Sequence, residues 1–475
     1  MDVRRRRGRR GQRMSVDPGR SVSERLVAFV RAQLAAGVPA DVRHEAARLL
    51  LNQWKASVGA TDSEAVRIIH DWATSTSAPP GGSTILWFGG KAAPEQAAVV
   101  NAALFEVLDF NETYIPTFQH AVSGVLPAAL ACAEAGGQSG RRVLDALALG
   151  IEVELACAAI LMPTGYFRGF IPGGITGAIG GAVACSILSD HDDATMVSAI
   201  GIAMNCGLGQ YQSAGSMVFS YLMGSVARNG LTAADLAGRG ITAPRLAFEG
   251  DKAMLSSYSD ESPDKIESVL ASLGQEWRIK AQSYKTVPTE TITHGPIGCV
   301  MEMLKRANGR EPAAIRFGVA ALTVKIAEER ASRWGAPTSD LEAKFDLKHC
   351  AAAAWVRGRF TLEEMTEAAF TDPEILDLRA RIELYDDPRH PTFDGASCQV
   401  TFTDGSTEDY NLPAFLGTPA NPMSDAELSD VFRLSAGDRL PAERIDAILE
   451  AVWGLESAPD VRRLMQLSIF QELRP

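Results

Sequence analysis

Leu108-Asp109-Phe110-Asn111-Glu112-Thr113-Tyr114 follows directly on an apolar helical pattern and is too polar to be core. His120 comes seven residues after Thr113, and Ala121-Val122-Ser123-Gly124 then enters another helix. A carboxylate, a hydroxyl and an imidazole at one helix-to-helix junction can converge on a small ligand. Imidazole suits proton transfer because its ordinary pKa lies near neutrality. The helix N-terminus expected near Val125 would favour an anion there. The same residue types also serve as plain caps and turns, so the stretch has a structural reading beside the chemical one.

A second constellation is Lys285-Thr286-Val287-Pro288-Thr289-Glu290-Thr291-Ile292-Thr293-His294. Lys and His beside a proline-fixed loop suit carboxylate binding and proton transfer. A loop lysine is more often simply solvated. Other signatures are missing: there is no P-loop, no GxGxxG between strand and helix, no HExxH and no serine nucleophile elbow. Gly173-Gly174 with Gly177, Gly180 and Gly181 opens an Ala-rich helix without a preceding strand, which argues for helix packing over a phosphate cradle. His44, His70 and His191 read as surface or cap residues. His390, beside Asp386 and Asp387, is a weak metal candidate, and no metal site is expected. Tyr211, Met217 and Tyr221 are candidates to line a pocket or a dimer core.

The elements that carry these residues are mostly helical. Ser23 is the expected cap of a helix with Leu26, Phe29, Val30 and Leu34 at helical spacing. Asp41 to Trp54 and Ala97 to Leu108 follow, then a helical hairpin, Val125 to Glu134 and Gly140 to Leu161, turning at Gly136-Gly137. Ala178 to Leu188, Ala194 to Cys206 and Met223 to Gly240 continue the theme, and their many Ala and Gly residues permit close helix approach. After about Trp277 the pattern changes. Ala321 to Ala327, Ile382 to Tyr385 and Cys398 to Phe402 alternate as strands do, and Thr403-Asp404-Gly405-Ser406 reads as a hairpin turn into Thr407 to Tyr410. After Pro413, helices resume, with Ser424 as a cap.

The expected fold class is mainly α: a large all-helical domain with an inserted, smaller α+β lid domain. The boundaries expected are a disordered basic arm over 1–20, helical domain over 21–280, lid over 281–410 and the helical domain's C-terminal part over 411–475. The chain has 475 residues and a formal net charge of −12, enough for a large core and poorly suited to nucleic acid, which demands clustered Lys and Arg. The one basic cluster, Arg4 to Arg7 with Arg9, Arg10 and Arg13, lacks a following apolar segment and reads as a tail or as sequence upstream of a start at Met14. Seven cysteines lie scattered in apolar stretches without metal or disulfide spacing, as buried thiols of a cytoplasmic protein do. Glu152, Glu154 and Arg168 interrupt the most apolar region, Leu144 to Leu188, so no membrane span is expected.

Taken together, these segments resemble the MmgE/PrpD family, which includes 2-methylcitrate dehydratase, cis-aconitate decarboxylase and an iminodisuccinate epimerase. The family pattern D-F-D-D-T, then H-P-S-G with a proline soon after, is matched by Asp109 to Thr113 and by His120 to Pro127. Its AE-x-x-G-x-S-G-R stretch appears from Ala133-Glu134 to Ala146, its K-x-x-P…H as Lys285, Pro288 and His294, and its NPMSD as Asn421 to Asp425. The likeness runs from about Ser21 through nearly the whole chain and lies in the order and spacing of the motifs.

The resemblance implies an active site between the two domains, a homodimer, no metal or organic cofactor, and a small carboxylate substrate. It carries catalytic roles onto Asp109, His120 and Lys285, and substrate contact onto Thr113, with His294 matching a family histidine. The chain departs from the pattern at four positions: Ile171 and Phe219 stand where the family has a histidine and a lysine, Glu290 where it has a histidine, and His349 where it has a lid tyrosine. All four are expected at the substrate, in a pocket drier and less cationic than one built for tricarboxylates.

The expected activity is a lyase of dehydratase or decarboxylase type, with His120 as general acid/base, Lys285 on a carboxylate and Asp109 orienting His120. Two rivals stay open. An isomerase or epimerase would set His120 against His349 or Glu290 across one carbon, and a family member that has lost catalysis would act as a binding or scaffold protein.

Overall fold

The computed structural model describes residues 19–75, 81–207 and 209–470. The arginine run therefore lies outside the described residues. The structure is mainly helical with small sheets, and among the described residues no helix is long and apolar enough to cross a membrane.

The first helix, Val22–Ala36, begins two residues earlier than expected. Ser21, not Ser23, is its cap: the Ser21 hydroxyl accepts from the Glu24 amide while the Glu24 carboxylate accepts from the Ser21 amide. This reciprocal box satisfies two of the helix's orphan donors, and Ser23 is buried inside the helix. Similar logic starts the helix Asp425–Ala436, where Ser424 and Glu427 form the same box.

One hydrophobic cluster gathers helices from both ends of the described chain, from Leu26 and Trp54 through Phe105 and Ile179 to Phe432 and Val452. At its centre runs Pro172–Leu188, every residue of which is buried. It packs on Gly140–Leu161, Val218–Gly238 and Ala121–Gly136. Glycine permits that closeness: a Cβ on Gly180 would stand 2.7 Å from the Gly150 carbonyl oxygen, and one on Gly230 would stand 2.8 Å from the Ala178 oxygen. The glycines at the start of this helix thus serve packing. Glu152 and Glu154, which interrupt the apolar run in the sequence, are fully buried in it. Glu152 is answered by Arg278 at 3.1 Å and the Ile279 amide at 3.1 Å, and Glu154 accepts from Gln119.

A second cluster, from Ile297 to Phe402, surrounds a four-stranded sheet. Strand Pro312–Val319 pairs in parallel with Ile382–Asp386 and antiparallel with Ala396–Phe402, which pairs in turn with Thr407–Leu412. The hairpin turn lies at Thr403–Ser406 as expected, with Gly405 at φ +82°, a value that glycine adopts without strain. Two expectations here fail. Ala321 to Ala327 is not a strand but the start of helix Ala321–Trp334. Its buried residues, Thr323, Ile326 and Arg330, recur at helical spacing, which the β-branched residues in the short stretch concealed. Strand Pro312–Val319 was not anticipated: it pairs on both edges, and Pro, Ala and Gly dilute its β signal. Among the cysteines, Cys206 is exposed and Cys132 half-buried, against the expectation that all are buried.

Replacing Gly180 with Val forces a side chain onto backbone atoms that cannot yield. It is expected to cost at least about 1–3 kcal/mol, measured as a fall in Tm. An unchanged Tm would show that these helices have room to separate.

Candidate functional site

Between helices Pro94–Glu106 and Ala121–Gly136 the chain makes a tight polar loop. Asp109 sits in the left-handed region at φ +48°, which aspartate tolerates better than most residues. Tyr114 and Gln119 exchange backbone hydrogen bonds of 2.8 and 3.2 Å, closing the loop on itself. Gln119 is in turn held by Glu154 and Thr176 of the central helices. His120, the next residue, immediately precedes the helix.

The loop is tied to a distant stretch of chain. Thr113 and Ser283 exchange backbone hydrogen bonds of 3.0 and 2.9 Å, which sets Lys285 two residues further along against Asp109. The Lys285 ammonium donates to the Asp109 carbonyl at 2.6 Å and to its carboxylate. Both side chains are essentially inaccessible. Burial pushes the Asp109 pKa up, but the charges of Lys285, His120 and Lys344 outweigh it and hold the group well below the usual carboxylate range. Two more buried ammonium groups brace the region. Lys55 donates to the Lys285 carbonyl at 2.9 Å and lies 3.8 Å over the Phe110 ring, and Lys344 donates to the Val107 carbonyl. Burial lowers both their pKa values, with Lys285 adding to the effect.

The His120 ring is oriented by its neighbours. Nδ1 lies 2.6 Å from the Glu112 carbonyl oxygen. A carbonyl only accepts, so Nδ1 carries the proton in that bond and the neutral ring presents Nε2 as its basic nitrogen. Nε2 is 3.8 Å from Asp109 Oδ1. Thr113 Oγ1 meets Thr291 Oγ1 at 2.7 Å. Behind the loop, Glu112 accepts from Asn52, Gln53 and the Val122 amide, and burial raises its pKa to about 7.

These groups open onto a cavity of about 90 Å³ lined by Asp109, Thr113, His120, Ile171, Tyr211, Phe219 and Glu290 among the residues the sequence singled out. Ile171 and Phe219 give it apolar walls. It is not free of cationic side chains, however, because Arg330 also lines it. The Arg330 guanidinium donates to both carboxylate oxygens of Glu290, to the Tyr211 hydroxyl at 3.0 Å and to the Phe345 carbonyl at 3.1 Å. Arg330 lies three residues beyond the stretch that reads as a strand, and no motif in the sequence marks it. Read at helical period, Ile326 and Arg330 share a face, and both line the cavity.

Three expected contacts are placed elsewhere. Lys285 stands behind Asp109 and does not line the cavity. His294 is buried against Phe415, with Nε2 3.4 Å from the Thr289 carbonyl; burial, then the positive charge of Lys285, push its pKa down to about 3, so it is neutral at physiological pH. His349 is wholly buried, with Nε2 2.8 Å from the Glu364 carbonyl, and does not reach the cavity either. His390 pairs with Asn411 at 3.0 Å, and among the described residues no group of three His, Cys, Asp or Glu side chains is placed to hold a metal ion.

The sequence that builds this helical core and its largely apolar cavity, walled by residues from two distant parts of the chain, matches a known family. The MmgE/PrpD N-terminal domain matches residues 24–267 and the MmgE/PrpD C-terminal domain matches residues 287–455, and the chain belongs to this family. It is 26% identical to a cis-aconitate decarboxylase of Aspergillus terreus over 90% of this chain and 92% of that one. It is 24% identical to the human cis-aconitate decarboxylase over 79% of each chain. A cis-aconitate decarboxylase-like protein of Aspergillus oryzae is 25% identical over 95% of this chain and 98% of its own.

Two measurements test the electrostatics. Asp109→Asn leaves the Lys285 ammonium buried without its counter-charge and is expected to cost about 3–5 kcal/mol, read by chemical denaturation. A Lys285→Met change added to it should recover part of that loss, and failure to do so would show that the pair is not the source. For Glu112, the folded pKa lies near 7 against an ordinary 4.5. The unfolded chain releases this proton first, so stability from the neutral carboxyl is lost as pH rises from about 4.5 to about 7. Glu112→Gln has no such loss, and its Tm relative to the native chain should rise between pH 5 and pH 8. A constant difference would contradict the shift.

Proposed function

We propose that this protein is a lyase of dehydratase or decarboxylase type, working by proton transfer next to a carboxylate of a small carboxylic acid and without an added cofactor. The observation that carries the reading is the oriented His120 ring, with its basic nitrogen beside the anionic Asp109 at the wall of a largely apolar cavity. The names of the relatives point the same way.

In this reading His120 Nε2 is the general acid/base. In a dehydration it takes the proton from the carbon beside the carboxylate, the electron pair forms the double bond, and the imidazolium returns the proton to the departing hydroxyl, which leaves as water. In a decarboxylation the carbon–carbon bond breaks, carbon dioxide departs, and the carbon that keeps the electron pair takes a proton from His120. Asp109, kept ionised by Lys285, stabilises the imidazolium that forms in the first case and holds the ring's aim in both. Thr113, at the edge of the cavity, hydrogen-bonds the substrate. Lys285 acts through Asp109, which revises the direct carboxylate contact expected from the family pattern.

Proton NMR in deuterium oxide, with citrate, methylcitrate, cis-aconitate, iminodisuccinate and less charged analogues, tests the reading. Loss of water or carbon dioxide from one of them is the expected outcome, and deuterium uptake without net elimination would make the protein an isomerase instead. His120→Ala should lower kcat by about two orders of magnitude or more; near-native turnover would remove His120 from the chemistry.

A further inference from the structure

We propose that Arg330 anchors the substrate carboxylate, and that its pairing with Glu290 makes the cavity select acids with one or two carboxylates over a tricarboxylate. This rests on the carboxylic-acid reading above, but not on the reaction type.

The guanidinium is built into the wall. Arg330 is 7% exposed, held by Glu290, Tyr211 and the Phe345 carbonyl, and flanked by the Phe345 and Trp334 rings at 5.0 and 5.9 Å. Its Nε nonetheless finds no acceptor among the described residues. A buried charged donor left unpaired is costly, and because Arg330 lines the cavity, a carboxylate entering there can take a share of the guanidinium from its protein partners. Arginine suits the task because its rigid fork can hold the Glu290 carboxylate on one edge and still offer a donor for another.

Charge then sets the selection. Around the cavity Asp109 is matched by Lys285 and Glu290 by Arg330, and apolar side chains such as Ile171, Phe219, Ile326 and Phe345 share the remaining wall with the hydroxyls of Thr113, Tyr166, Tyr211 and Thr291. A ligand carboxylate can share Arg330, and a second can approach His120 in its protonated form. A third would meet only hydrocarbon and neutral hydroxyls, with no counter-charge.

The test is direct binding of three saturated, unreactive acids to the full chain by calorimetry: butyrate, glutarate and tricarballylate. The native protein should bind butyrate or glutarate at least about ten-fold more tightly than tricarballylate, and Arg330→Gln should weaken that binding by about 10–100-fold, the range for a hydrogen bond to a charged group. Arg330→Lys, which keeps the charge but not the fork, should fall between, and Glu290→Gln should narrow the gap against tricarballylate. Thermal unfolding identifies any variant that fails to fold; should Arg330→Gln do so, Arg330→Lys and Glu290→Gln decide. Unchanged affinity in the folded Arg330 variants, a preference for tricarballylate, or no binding of any acid at millimolar concentration would overturn the proposal. Because no turnover is read, binding that depends on Arg330 in a protein silent by NMR would sink the lyase and leave the anchor.

Discussion

The pair formed by Asp109 and Lys285 is the constraint on which the site depends. Two opposite charges removed from water repay their desolvation only with tight geometry and further hydrogen bonds. Here the ammonium binds both the carboxylate and the backbone carbonyl of the same residue. That requires residues 176 positions apart in sequence to meet at one point. The Thr113–Ser283 backbone exchange and the Lys55 contact to the Lys285 carbonyl enforce the meeting. Once it is made, the loop has little freedom, and the Glu112 carbonyl that aims His120 is carried with it.

The cavity combines an apolar wall with charges that are matched in pairs. Asp109 is answered from behind by a lysine that the cavity does not see, whereas Glu290 is answered by Arg330 at the wall itself. The consequence differs at the two ends. At the Asp109 end the negative charge faces His120, which suits stabilising an imidazolium. At the Arg330 end a positive charge is shared with a carboxylate of the protein, which suits a single further anion. Ile171 and Phe219 contribute only apolar surface to the wall, and the helix Ala321–Trp334 supplies its cation, Arg330.

Much of this was legible in the sequence. The polar loop stood out because Asp109, Asn111, Glu112 and Thr113 are too polar for the apolar helices on either side, and the order of loop, His120, Lys285 and NPMSD motifs carries the family. Helices with long periodic faces emerged with small errors at their ends, such as Ser21 in place of Ser23, because two serines near a helix start offer equal local caps. The errors were larger where the signal was short. Ala321 to Ala327 offers seven residues, in which alternation and helical spacing are hard to separate. Arg330 lies three residues past that stretch, on a face that only the helical reading carries as far as it.

The sequence by itself determined the residue types of the site, the helical character of the chain and its family, because these are local or ordered along the chain. Only the tertiary structure decided which of those residues share a cavity. His294 and His349 have the same chemistry as His120, yet burial leaves the first neutral and walls off the second, while Lys285 is turned toward Asp109 and away from the cavity. Burial and charge pairing depend on what the rest of the fold brings within a few ångströms, and spacing along the chain does not record it.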